Sequence, residues 1–107
     1  MDIDYILDCL SKISESDLYQ THHLEIRIHQ RKTELIPDLN SVKSIILKNK
    51  PVEISKQDDM KFRLKYEFDT NHDVTIIIST RNIIPISFNL VTYYLVNSNK
   101  RKREDNE

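Results

Sequence analysis

Apolar and charged positions alternate most regularly between Met60 and Thr80, MKFRLKYEFDTNHDVTIIIST. Phe62, Leu64, Tyr66 and Phe68 occupy one parity and Lys61, Arg63, Lys65 and Glu67 the other. A period of two predicts a half-buried strand with one apolar and one charged face. Asp69 to Asp73 is a polar break of hairpin-loop length, after which Val74, Ile76 and Ile78 alternate with Thr75, Ile77 and Ser79 as the antiparallel partner. The rest of the chain is organised around this hairpin.

Before it, Ile3, Ile6, Leu7, Leu10 and Ile13 recur at helical spacing and predict a helix over 3–13, with Asp2 and Asp4 at its positive end. Ser14 and Asp17 have the spacing of a capping box, which predicts a second helix starting near Asp17. Leu24, Ile26 and Ile28 alternate as a strand would, whereas Leu24, Ile28 and Leu35 fit a helical stripe. A helix over 17–33 is preferred, and spacing alone does not decide between the two. Pro37 ends that segment, and Leu39, Val42, Ile45 and Ile46 predict a third helix over 39–49, stopped by Pro51.

Val52 to Ser55 reads as an edge strand and Lys56 to Asp59 as a turn. Arg81 to Pro85 reads as a connection whose Ile83, Ile84 and Pro85 tuck under the sheet edge. Ile86 to Val96, ISFNLVTYYLV, has the β-branched and aromatic composition of a last strand. Its core parity of Ile86, Phe88 and Leu90 leaves Ser87, Asn89, Val91 and Tyr93 on the other face. Thr92 and Tyr94 then share the core parity unless a bulge reverses it.

The expected fold is α+β: two or three amino-terminal helices packed on one face of a curved four-stranded antiparallel sheet. Residues 1–96 form a single domain, consistent with a 107-residue chain that can bury one core. Residues 97–107, NSNKRKREDNE, have no apolar residue and read as a disordered charged tail.

Composition narrows the chemistry. The net charge of −1 removes overall basicity as a reason for nucleic-acid binding, so attraction must come from a local patch. With no glycine, the chain has no Walker loop or dinucleotide fingerprint, and no cofactor is implied. Cys9 is the single cysteine, which points to a reducing interior and to a small core residue. The acidic start and the absence of a long apolar run point to a cytoplasmic protein outside the membrane. The four histidines have no metal-ligand spacing, and no metal site is expected.

Two constellations remain. Lys61, Arg63 and Lys65 stand about 6 to 7 Å apart along the uncovered strand face, a spacing that can follow the phosphates of an RNA strand while Tyr93 stacks on bases. The plainer reading is a solvated sheet face. On a helix, His23, Arg27 and Arg31 fall at i, i+4 and i+8, placing a proton-exchanging group beside two cations able to stabilise a charged phosphate. The plainer reading there is a helix surface laced with charge.

His23-x3-Arg27-x3-Arg31, the PDLNSVKSIIL segment after it, and strands ending in Leu90 to Tyr94 together resemble the small RelE-related proteins of the barnase/RelE-like ribonuclease-toxin fold, over about residues 21–96. The resemblance implies a metal-independent endoribonuclease or RNA-binding domain of a toxin–antitoxin system. It implies His23 as general acid or base, Arg27 and Arg31 as phosphate contacts, and Thr92 or Tyr94 near the site. The partners would be RNA and a cognate antitoxin. The competing expectation is a non-enzymatic interaction module that binds a protein partner, or a second copy as a homodimer, through its open sheet face or edge, using Ile77, Val91 and Leu95.

Overall fold

A computed structural model of the protein describes residues 2–30 and 37–97. Helix α1 (Ile3–Leu10) begins where the Asp2 carboxylate accepts from the Tyr5 amide at 2.8 Å, and turns Ile6, Cys9 and Leu10 inward. After it, Ser14 and Asp17 form the expected capping box, the Asp17 carboxylate accepting from the Ser14 amide at 3.0 Å. The box closes a single 3-10 turn, Glu15–Asp17, and the chain then extends as strand β1 (Leu18–Gln20). Only after Thr21 does helix α2 (His22–Gln30) start, so the helix expected over 17–33 is a short strand and then a helix as far as Gln30, and 31–33 lie outside the described residues.

Asp38 caps helix α3 (Leu39–Lys48) by accepting from the Ser41 amide at 2.8 Å, and Val42 and Ile46, one turn apart, are buried. Four more strands follow among the described residues: β2 (Glu53–Lys56), β3 (Lys61–Glu67), β4 (His72–Ile83) and β5 (Ile86–Asn97). Between β3 and β4, Asp69 accepts from the amides of Asn71 at 2.8 Å and His72 at 2.7 Å, the local bonding by which an aspartate shapes a turn without glycine. Phe68, expected on the apolar face, lies past the end of β3 and is exposed.

The sheet order is β1-β5-β4-β3-β2. Neighbouring strands are antiparallel except for β1 and β5, which run parallel with Leu18 opposite Phe88. The sheet is therefore five-stranded and mixed, which corrects the expected four-stranded antiparallel sheet. The fifth strand is too short to announce itself by periodicity and exists because Leu18 seats beside Phe88 in the core.

Ile6, Leu10, Leu24, Val42 and Ile46 from the helices meet Phe62, Leu64, Tyr66, Val74, Ile76, Ile78, Phe88 and Leu90 from the sheet in one cluster. The three helices thus share one face of the sheet. No helix among the described residues is long and apolar enough to cross a membrane. Of the tail expected over 97–107, Asn97 is the last residue of β5 and the remainder lies outside the described residues.

Two irregularities in the β4–β5 pairing control what the opposite face displays. Ile77 stands opposite Thr92 but Ile78 opposite Leu90, so Val91 is an extra residue in β5. Thr80 stands opposite Phe88 but Asn82 opposite Ser87, so Arg81 is an extra residue in β4. Each bulge reverses the parity of the residues beyond it. Past Ser79, the last β4 residue paired with β3, the two strands continue as a hairpin through a cis Ile84–Pro85 bond. Ile84 at its tip is 88% exposed and Ile83 is exposed too, a correction to the expectation that they tuck under the sheet edge.

Candidate nucleic-acid interface

The register assembles the face opposite the helices row by row. Lys61, Ser79, Asn89 and Tyr19 form one row across β3, β4, β5 and β1. At about 4.8 Å per strand, this row spans about 14 Å between the Lys61 and Tyr19 backbones. The next row holds Ser55, Arg63, Ile77 and Thr92, then Glu53, Lys65, Thr75 and Tyr94, and finally Glu67, Asp73 and Val96. Lys61, Arg63 and Lys65 therefore share the uncovered face as the alternation implies.

Their surroundings differ along the strand. Lys65 Nζ lies 3.3 Å from a Glu53 carboxylate oxygen, and its side chain is largely buried. Glu67 and the fully buried Asp73 add acidic groups at that end. At the other end, Lys61 and Arg63 are joined by Arg81, whose guanidinium carbon sits 4.0 Å from the Tyr19 ring centroid. That is a cation–π stack. The face is thus polarised, basic and aromatic toward the β4–β5 hairpin and mixed in charge toward the β3–β4 loop.

The Val91 bulge decides which β5 side chains reach this face. Thr92 and Tyr94 take the parity of this face, Tyr94 half-buried and Thr92 buried with Ile77 and Thr75 beside it, and Tyr93 turns inward. Tyr93 is 2% exposed and its hydroxyl donates to the Pro37 carbonyl at 2.9 Å. Burial first, and the nearby Asp38 charge second, raise its pKa above the ordinary phenol value. Its assignment as a base-stacking residue is corrected: no ring in that position can reach a ligand. Tyr94 and Tyr19 are the tyrosines that the geometry offers.

The apolar alternative is also redrawn. Ile77 is nearly buried between Arg63 and Thr92, and Leu95 packs against the core. With polar residues around Ile77, these side chains do not make a continuous apolar patch.

His23 is exposed in the first turn of α2. The helix is anchored by Leu24, 1% exposed in the core cluster, and by Thr21, whose hydroxyl accepts from the Leu24 amide at 3.0 Å and donates to the Leu90 carbonyl at 3.5 Å. Arg27 falls within α2, and Arg31 lies outside the described residues. The helix thus occupies the helical layer over β5, while Lys61, Arg63 and Lys65 project from the other side of the sheet, two strands away. The structure does not bring His23 and the basic row into one groove.

No group of three or more His, Cys, Asp and Glu side chains among the described residues could hold a metal ion. Cys9 is buried in the α1 interface. Tyr19 and Arg81 escape a reading of the sequence because one stands in a segment with helical spacing and the other in a presumed connection. Only the β1–β5 pairing and the second bulge place them together.

The MJ0788 family model matches residues 4–78, from α1 to the residue in β4 where the Val91 bulge falls. A protein of Methanocaldococcus jannaschii, "Uncharacterized protein MJ0788", is 46% identical over 66 residues, covering 62% of this chain and 81% of that protein. Neither match connects the chain to the RelE-related proteins. No solved structure matches it.

Proposed function

The chain belongs to the MJ0788 family, and for this member we propose a cytoplasmic module that binds single-stranded RNA across the helix-free face of its sheet. One observation carries the reading: Lys61, Ser79, Asn89 and Tyr19 form a continuous cross-strand row, with Arg81 stacked on Tyr19 at its end. Cations neutralise phosphates, and aromatic and guanidinium planes accept bases without demanding a particular sequence. Phosphates and π-faces occur at every nucleotide, so a polar face of this kind holds a strand without a deep cleft.

The proposal is binding rather than cleavage. A general acid or base must reach the 2′-hydroxyl or the leaving oxygen at hydrogen-bond distance. His23, on the far side of the sheet from the basic row, has no such reach to a strand held there. A toxin–antitoxin role would instead require a partner protein. The observation favouring this second reading is the exposed hairpin tip at Ile83 and Ile84, an apolar knob that a partner or a second copy could cover.

Fluorescence anisotropy with a labelled single-stranded RNA, titrated at several KCl concentrations, tests the proposal. Three cations, Lys61, Arg63 and Arg81, predict that log affinity falls with log salt at a slope of about −2, taking about −0.7 per phosphate contact. Absence of binding at about 50 mM KCl would end this reading and leave the hairpin tip as the next surface to test.

A further inference from the structure

At the root of the β4–β5 hairpin, on the same face, Asp17, Tyr19, Arg81, Asn82, Pro85 and Ser87 line a pocket of about 430 Å³. That is within the range of about 300 to 1,000 Å³ in which small ligands bind. We propose that this pocket holds one guanine base of the bound RNA, with Asp17 reading its Watson–Crick edge. The inference rests on the RNA-binding reading and adds to it a base preference.

The pocket has a stacking wall and an acceptor rim. Arg81 lies over the Tyr19 ring, and the planar pair offers a layer against which a base plane packs. The Asn82 amide donates from Nδ2 to the Pro85 carbonyl at 3.0 Å, which orients its Oδ1 as an acceptor. Asp17 is held by the capping box, with Oδ2 accepting from the Ser14 amide at 3.0 Å and from the Ser14 hydroxyl at 3.3 Å, which leaves Oδ1 as the oxygen for a ligand. An ionised carboxylate only accepts. Guanine places two donors, N1–H and N2–H, side by side on its Watson–Crick edge, whereas adenine and cytosine pair one donor with an acceptor and uracil flanks its one donor with carbonyls. A carboxylate held in place selects guanine from that set.

The test uses the full chain and four RNA nonamers, all uridine or with one central guanosine, inosine or adenosine, with affinity read by anisotropy. The guanosine oligomer should bind about tenfold tighter than the uridine one, at the low end of what base-edge contacts give, since both guanine donors converge on Asp17 Oδ1. Inosine, lacking the exocyclic amine, should fall between, and adenosine should match uridine. Asp17→Asn, confirmed folded by circular dichroism, should lose most of the guanosine advantage while binding the uridine oligomer as before. Equal, salt-sensitive binding of all four oligomers overturns the pocket but leaves the RNA-binding face standing. Loss of binding to every oligomer overturns both. Because the base series is read on the unaltered chain, it decides the matter even if Asp17→Asn fails to fold.

Discussion

The Tyr93 hydroxyl and the Pro37 carbonyl, 56 positions apart in the chain, meet at 2.9 Å in the interior. This bond fastens the second half of β5 to the segment that enters α3, and it consumes the one polar atom of a ring otherwise packed in the core. Tyr93→Phe should cost about 1 kcal/mol in urea unfolding, the ordinary net worth of a buried hydrogen bond. RNA affinity should not change. Tyr94→Ala should do the reverse, weakening RNA binding by a few-fold with a smaller effect on stability. If Tyr93→Phe alone weakened binding, the placement of the bulge at Val91 would be wrong.

Lys61→Ala and Arg63→Ala should each reduce the salt slope of RNA binding by about 0.7. Each should leave stability within about 0.5 kcal/mol, because both side chains stand on the helix-free face and outside the core. Lys65→Met behaves differently, since the Lys65 side chain is largely buried and its replacement also leaves Glu53 without its cation. It should destabilise the fold more than either of the other two and change the salt slope less. Parallel titrations of the three variants separate the binding role from the structural one.

His23→Ala should bind RNA within about twofold of the unaltered chain, the change expected of a surface substitution away from the interface. RNA incubated with either protein in EDTA should stay intact on a denaturing gel. Cleavage that disappears in His23→Ala would show instead that the α2 surface is a catalytic one and that RNA approaches from the helical side.

Two carboxylates give the fold an acid limit. The Ser41 amide holds Asp38 below the ordinary carboxylate range, and the Asn71 amide, together with the His72 contacts, does so for Asp69. A depressed folded-state pKa contributes stability that is present above the unfolded value of about 3.9 and is lost as pH falls through the folded value. Stability should therefore be flat near neutrality and decline below about pH 4. Asp38→Asn and Asp69→Asn should each flatten the decline, as measured by urea midpoints at successive pH values.

The β3–β4 hairpin was legible because each of its strands keeps one strict parity over the paired region; burial tracks that parity along β3 at Phe62, Leu64 and Tyr66, and Val74, Ile76 and Ile78 oppose them in β4, where Asp73, Thr75 and Ile77 of the other parity are buried as well. The same logic failed in β5. Parity read forward from Phe88 and Leu90 is correct as far as Val91, where the extra residue inverts it, and this chain has no glycine to mark the irregularity. Leu18, Tyr19 and Gln20 were illegible for another reason: a three-residue strand is defined by its partner, and that partner lies some 70 positions away at Phe88 to Leu90. The basic row was accordingly visible in the sequence, and the Tyr19–Arg81 end of the proposed interface was not.

The parallel pairing of β1 with β5 also sets an order of events during synthesis. β1 is made before β2, β3 and β4, yet its strand partner β5 is made after them, and Leu18 cannot take its place beside Phe88 before then. Contacts so distant in sequence are slow to close. The β3–β4 hairpin, whose partners are near neighbours in the chain, can form well before that. β1 and the Tyr19 side of the proposed RNA face should thus be the last parts to become protected in a pulse-labelled hydrogen-exchange experiment, and Leu18→Ala should slow the final closure without delaying the hairpin.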